Sequence, residues 1–408
     1  MTSINTLSNG ITVVMDNMAY LKSASFGVWV RAGSAFEEES NNGIAHMIEH
    51  MMFKGTKNRS AKQIADEMAR IGGNMNAFTS KECTSYYTTT LSEHLPKAIR
   101  IIGDMLNNSL IDEKALKKEK GIIIEEIDMY EDSPEDLVHE MLQQRIWKGH
   151  PLGYLISGRK RIVRKVSREQ ILDFMGTYYV GENIVLSIAG NFDHNEILAL
   201  LEEEFGNIKR GSNKDFSIDK PSYHKVIVKK KKDIEQLHVN IAFMGISYLS
   251  EERYVLSVLN SILGGSVSSR LFQKIREEAG LTYSIYSYGS SYKDTGLFHI
   301  YAAMNPNQKD AVIKKINSIV EGLRKKGISL EELTMTKEQI KTELILGNEG
   351  ARSRMNSNGK SMLNRGRLVS LNELLTGIDK VRMEDVKEFA NRYLDLSASS
   401  LSLVGNIT

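Results

Sequence analysis

A single cysteine, Cys83, in 408 residues excludes any intramolecular disulfide. It equally excludes a thiolate-built zinc site, which needs several cysteines. Proline is scarce as well, five in all, so a proline-rich stalk is ruled out. No window approaches 18 uninterrupted apolar residues, and no transmembrane helix is expected. The first ten residues carry neither a basic stretch nor an apolar core of the secretory type. Charge of one sign is also missing: 53 Lys and Arg against 51 Asp and Glu leave a net +2. Such a balance gives no electrostatic reason to expect nucleic acid or anionic lipid as a partner. The basic run Lys229–Lys232 reads as a solvated strand end. Thiol usage and the missing leader together predict a cytoplasmic location.

What is present is ordinary globular material, 41% hydrophobic and 25% charged. At roughly 150 residues per domain, the length predicts two or three domains. An internal repeat narrows this. Val166, Glu169, Phe174, Tyr178, Gly190 and Asn191 recur as Val381, Glu384, Phe389, Tyr393, Gly405 and Asn406, an ungapped offset of 215 residues. Each copy reads as a helix with an apolar period of 3.6 followed by a short alternating strand. The polar stretch Arg210–Asp215 predicts the boundary, giving domains 1–212 and 213–408. Strands are expected at Ile11–Val14, Ser25–Arg31 and Thr84–Leu91, with helices around 43–53, 61–71, 94–107 and 112–131. Strands grouped with strands and helices between them predict an α+β fold. Its two homologous domains would each be a mostly antiparallel sheet with helices packed on one face.

The chemistry lies in Gly43-Ile-Ala-His46-Met-Ile-Glu49-His50. Helical spacing sets His46 and His50 one turn apart on one face, with Glu49 beside them. Two imidazoles at i and i+4 can reach one zinc ion, and the adjacent carboxylate can take a proton from water held there. The same pattern also suits a buried helix with two satisfied core histidines and a surface glutamate. A catalytic zinc takes three protein ligands, so a third is required. Glu126 is the leading candidate. Glu119 lies seven residues before it, two turns along the same face, whereas Glu125 points about 100° away. Spacing alone does not choose Glu126 over the other acids of this helix. The remaining histidines, His94, His139, His150, His194, His224, His238 and His299, show no ligand pairing.

His46-x-x-Glu49-His50, followed 76 positions later by Glu126, resembles the inverzincin metallopeptidases related to pitrilysin, insulysin and the mitochondrial processing peptidase. The resemblance spans nearly the whole chain and is greatest to the short bacterial members. It implies one zinc ion per subunit on His46, His50 and Glu126, Glu49 as catalytic base, and Glu119 supporting the site from behind. It also implies that Asn76, Ala77 and Phe78 lie on an edge strand that receives substrate. Arg276 and Tyr283, seven residues apart, match the pair that holds the substrate backbone and polarises the scissile carbonyl.

The second half has no His-x-x-Glu-His; Asn260–Ser266 stands approximately in its place. That half therefore resembles a degenerate copy lending shape and substrate contacts. In long family members the Arg/Tyr domain faces the zinc domain across a clamshell, so this half-length chain is expected to pair. A homodimer is the first expectation, and a heterodimer with a related subunit the alternative. The expected function is a zinc endopeptidase hydrolysing unfolded or short peptides, or presequence-like segments, in a closed chamber. The alternative is a non-catalytic zinc-binding scaffold or partner subunit, and a purely structural zinc is a third reading.

Overall fold

The computed structural model describes residues 2–211 and 219–407. Part of the expected boundary stretch, residues 212–215, lies outside the described residues. The chain divides into two compact units. The first comprises Met1–Asp128, Tyr154–Ile218 and Gly347–Val369; the second comprises Met129–Gly153, Asp219–Leu346 and Ser370–Thr408.

Six strands form the first sheet: β1 (Thr2–Thr6), β2 (Thr12–Asn17), β3 (Ser23–Val30), β4 (Asn74–Thr79), β5 (Thr84–Leu91) and β6 (Ile184–Gly190). They lie in the order β1-β2-β6-β3-β5-β4. The second sheet holds β7 (Ile227–Lys231), β8 (Leu237–Met244), β9 (Ser284–Ser291), β10 (Gly296–Met304) and β11 (Ser400–Gly405), in the order β7-β11-β8-β10-β9. Apart from β1, which has no counterpart, the two orders are the same. Each sheet has one parallel pair at the same place, β2 with β6 and β7 with β11. The inner antiparallel ladders correspond too, for example Val28 opposite Tyr86 and Ile241 opposite Ile300. This is the two-fold α+β duplication expected from the repeat.

The repeat itself is visible residue by residue. Helices Arg168–Tyr178 and Met383–Tyr393 lead into β6 and β11. Both strands end on a glycine in the positive-φ region, Gly190 at 130° and Gly405 at 143°. A Cβ on Gly190 would come within 2.4 Å of Ser23 O, and one on Gly405 within 2.7 Å of Gln236 O. Both conformation and space require glycine there.

One face of each sheet carries the main core. In the first, Val13, Met15, Phe26, Val28 and Ile188 pack with Ile44, Met47, Ile48 and Met51 of the helix Ile44–Met52. In the second, Val239, Ile241, Phe298 and Ile300 pack with Val258, Leu259, Ile316 and Phe389. The opposite faces are covered by helices that come from the other half of the sequence. Helix Ala351–Arg365 sets Met355 among Val14, Trp29, Tyr87 and Val185, and Arg354 pairs with the buried Asp16 at 2.6 Å. Helix Pro134–Ile146 sets Leu137 and Val138 against Tyr301, Ala303 and Val404. His139 of that helix lies 2.8 Å from the Tyr288 hydroxyl; burial lowers His139 to a pKa of about 4 and His299 to about 3, so both are neutral packing groups. Among the described residues no helix is long and apolar enough to cross a membrane.

Candidate metal centre

The helix Ile44–Met52 is buried nearly all round, leaving only Glu49 and His50 partly accessible. Its N-cap, Gly43, has a φ of 99°, and no side chain of its own caps the first turn. The cap comes from Glu37, whose carboxylate accepts from Gly43 N (2.7 Å), Ala45 N (2.9 Å) and Asn42 Nδ2 (2.8 Å). An anion at this end also complements the helix dipole. Burial nevertheless pushes Glu37 up to about 7, against those donors and the charge of Lys81. A Cβ on Gly43 would lie 2.8 Å from Gly158 Cα, so the helix start is seated directly on that turn.

From this fixed start, His46 and His50 project together, with ring centroids 4.6 Å apart. The helix Glu113–Asp132 supplies the facing acids. Glu126 Oε2 lies 3.7 Å from His46 Nε2 and 3.6 Å from His50 Nε2. One ligand atom from each of the three residues falls within 4.8 Å of the others, and no other such trio occurs among the described residues. Glu119 is buried one step behind: its Oε2 lies 3.1 Å from His50 Nδ1, and its Oε1 accepts from Lys54 Nζ at 2.8 Å. Glu125 is exposed.

The donor set fits a zinc ion. A carboxylate only accepts, so His50 Nδ1 carries the proton shared with Glu119 and Nε2 presents its lone pair to the cluster. Burial, then the neighbouring His50, lower His46 to about 4 despite Glu126, which keeps that imidazole neutral. Burial would also lower His50, but the hydrogen bonds and charges of Glu126 and Glu119 outweigh it and raise its pKa. Two imidazole nitrogens and one carboxylate oxygen converging on one point are the ligand types of an open, three-ligand zinc site.

Glu49 sits beside this trio without belonging to it. Burial raises its pKa, against a hydrogen bond from Thr79 and the charge of His50. Thr79 Oγ1 donates to Glu49 Oε2 at 2.6 Å. Thr79 ends β4, the outer strand of its sheet. Along β4, Met75 and Ala77 face the core with Thr79, while Asn74, Asn76 and Phe78 are exposed on the other side. Asn76 Oδ1 accepts from Ala77 N at 2.8 Å. Phe78 is set edge-on to Trp29, 5.6 Å between centroids, and tilted to Tyr87 at 6.3 Å.

Arg276 and Tyr283 belong to the second unit. Arg276 sits in a wide π-helical turn, Phe272–Glu277, with its guanidinium 4.6 Å from the Phe272 ring centre and 5.3 Å from that of Tyr283. Tyr283 is 77% exposed. In the same unit, the helix after β8, Arg253–Asn260, holds the place of the histidine helix and bears no histidine. Thus His46, His50, Glu49, Glu119 and Glu126 are brought together in one centre, and Arg276 with Tyr283 in another group. Glu37 and Thr79 complete the first centre without any motif to announce them. The one cue to Thr79 is its place directly after Asn76, Ala77 and Phe78, the residues expected on the edge strand; Glu37 has none.

Two family descriptions match the chain: "Insulinase (Peptidase family M16)" over residues 12–160 and "Peptidase M16 inactive domain" over residues 165–340. An uncharacterized zinc protease of Bacillus subtilis is 39% identical over 404 residues, with 98% of each chain covered. One from Rickettsia bellii is 37% identical over 400 residues, covering 98% of this chain and 96% of its own. Among solved structures, a protease from Helicobacter pylori superposes with a TM-score of 0.93 at 23% identity, covering 99% of both chains. A chain of the complex III2 structure from Candida albicans gives 0.87 at 22% identity, covering 99% of this chain and 95% of its own. The duplicated sheets, the inverted histidine motif and these relatives agree: the chain belongs to peptidase family M16, whose fold it shares and whose curated relatives are named zinc proteases.

Proposed function

We propose that the protein is a zinc-dependent endopeptidase acting on unfolded or short peptides, with one zinc ion per subunit held by His46, His50 and Glu126. The observation that carries this reading is Glu49: a half-buried carboxylate beside the ligand trio, tied by one oxygen to Thr79. A structural zinc needs no such spare base. When bound, zinc supplies a Lewis acid that brings the pKa of a coordinated water from 15.7 to about 7.

The chain's own residues do the rest. Glu119 fixes the His50 ring through Nδ1 and leaves Nε2 for the metal. Glu49, with Oε2 occupied by Thr79, receives the proton of the attacking water on Oε1. Burial raises its pKa, which suits it to hold that proton and deliver it to the leaving amine. The unpaired edge of β4 takes an extended peptide as an added strand, with Asn76, Ala77 and Phe78 beside it; backbone pairing needs little side-chain specificity. Arg276 and Tyr283 offer donors for the charge that develops on the scissile carbonyl. They do so from a second subunit of a cytoplasmic homodimer or from a related chain in a heterodimer, the two subunits closing a chamber around the peptide.

A quenched-peptide screen of zinc-loaded protein tests the reading. Glu49→Gln should retain zinc and lose about 10²–10⁴-fold in turnover. Full turnover by that variant would refute the assignment of the base. The competing reading, a scaffold or partner subunit, draws on the complex III neighbour and the "inactive domain" description. The complete ligand set argues against it, and a chain purified without chelator that holds no zinc would argue for it.

A further inference from the structure

A side-chain hydrogen bond joins the helix that bears the base to the peptide-receiving strand, from Thr79 Oγ1 to Glu49 Oε2 at 2.6 Å. Thr79 closes β4, opposite Thr84 of β5, and faces the His46 helix together with Met75 and Ala77. Glu49 reaches the cluster through three rotatable bonds, so its carboxylate plane is set by what its oxygens touch. Holding Oε2 from a strand leaves Oε1 as the oxygen available for proton transfer. In the second unit the outer strand also bonds its helix, Ser287 of β9 donating to Asn260 Oδ1 at 2.8 Å, but one rung away from the Thr79 position and onto an amide.

We infer that Thr79 is a positioning residue that couples peptide docking on β4 to the alignment of Glu49, an inference that rests on Glu49 being the general base. A peptide paired along the outer edge of β4 orders that strand's backbone and, with it, the hydroxyl that holds the base. Binding energy from residues remote from the scissile bond is then expressed in kcat rather than only in KM. Longer peptides, which fill more of the strand, gain turnover through this hydroxyl.

The test compares wild type with Thr79→Val, Thr79→Ser and Thr79→Ala on a long and a truncated quenched peptide of the same cleavage site. Zinc affinity is followed by chelator competition. Thr79→Val, nearly isosteric, should lower kcat on the long peptide about tenfold, to the level of the truncated one, with KM and zinc affinity within about twofold of wild type. Thr79→Ser should restore the length dependence, and Thr79→Ala should repeat the loss should the valine variant fold poorly. A kcat unchanged in both Thr79→Val and Thr79→Ala overturns the inference. So does a serine variant as slow as valine, or a zinc affinity that falls in step with kcat, which marks a merely structural hydroxyl. Glu49→Gln runs alongside: its activity would remove the base assignment itself, whereas an inactive Glu49→Gln beside a fully active Thr79→Val removes only the coupling.

Discussion

His50 is held from both sides, by Glu119 on Nδ1 and by Glu126 against Nε2. The first contact fixes the tautomer and ring plane; the second belongs to the proposed ligand set. Removing each should therefore fail differently. Glu126→Ala deletes a ligand and should abolish stoichiometric zinc binding. Glu119→Ala leaves three ligands but frees the ring, and zinc affinity should fall about 10–100-fold by chelator competition. It also leaves Lys54 without its carboxylate. Equal affinity in Glu119→Ala and wild type would show that the ring is held by packing alone. His46, His50 and Glu49 are legible in the sequence because a helical i, i+4 pair is a local pattern, whereas spacing leaves Glu126 among several acids. Thr79 is not legible there, since its contact with Glu49 joins residues thirty positions apart and depends on strand register.

The histidine helix has nine residues, short for stable folding on its own, and its start is fixed by groups outside it. Gly43→Ala forces a β-carbon into the Gly158 turn at a positive φ, and should cost about 1–3 kcal/mol in unfolding free energy by denaturant titration. Glu37 gives this element a pH dependence with a definite sign. Its folded pKa, about 7, stands above the ordinary 4.5, so folding favours the protonated carboxyl. Stability from this group is complete below about pH 4.5 and is lost as pH rises through about 7. The facing groups are Asn42, the Gly43 and Ala45 amides and, by charge, Lys81. The urea midpoint of wild type relative to Glu37→Gln should therefore fall between pH 5 and pH 8; a difference that stays flat or rises contradicts burial as the dominant influence. The helix and strand ranges read from the sequence lie within a few residues of those observed. β1, whose five residues are alternately exposed and half-buried at a sheet edge, carried no such signal.

At the scale of the molecule, the two sheets repeat one strand order, yet the ligand trio occurs in one unit and the Arg276–Tyr283 group in the other. The proposed dimer makes a test that neither residue offers alone. Mixing Glu49→Gln subunits with Tyr283→Phe subunits should restore partial turnover, up to about a quarter of wild type when random pairing leaves one intact composite site in half the dimers. No recovery despite demonstrated subunit exchange would count against sharing.

The amino-acid sequence by itself determined the His46–His50 pair with Glu49 beside it, the duplication and most elements. Each is written in spacing: three or four residues for a helix face, two for a strand, and 215 for the repeat. Tertiary structure alone decided which acid of the Glu113–Asp132 helix meets the histidines, since helical phase admits several and only packing brings Glu126 Oε2 to both imidazoles. It also decided that Glu37 caps the helix, that Thr79 hydrogen-bonds Glu49, and that helices Pro134–Ile146 and Ala351–Arg365 cover sheets built mainly from the other half of the chain. These are contacts between residues whose separation along the chain carries no period, so only the folded chain specifies them.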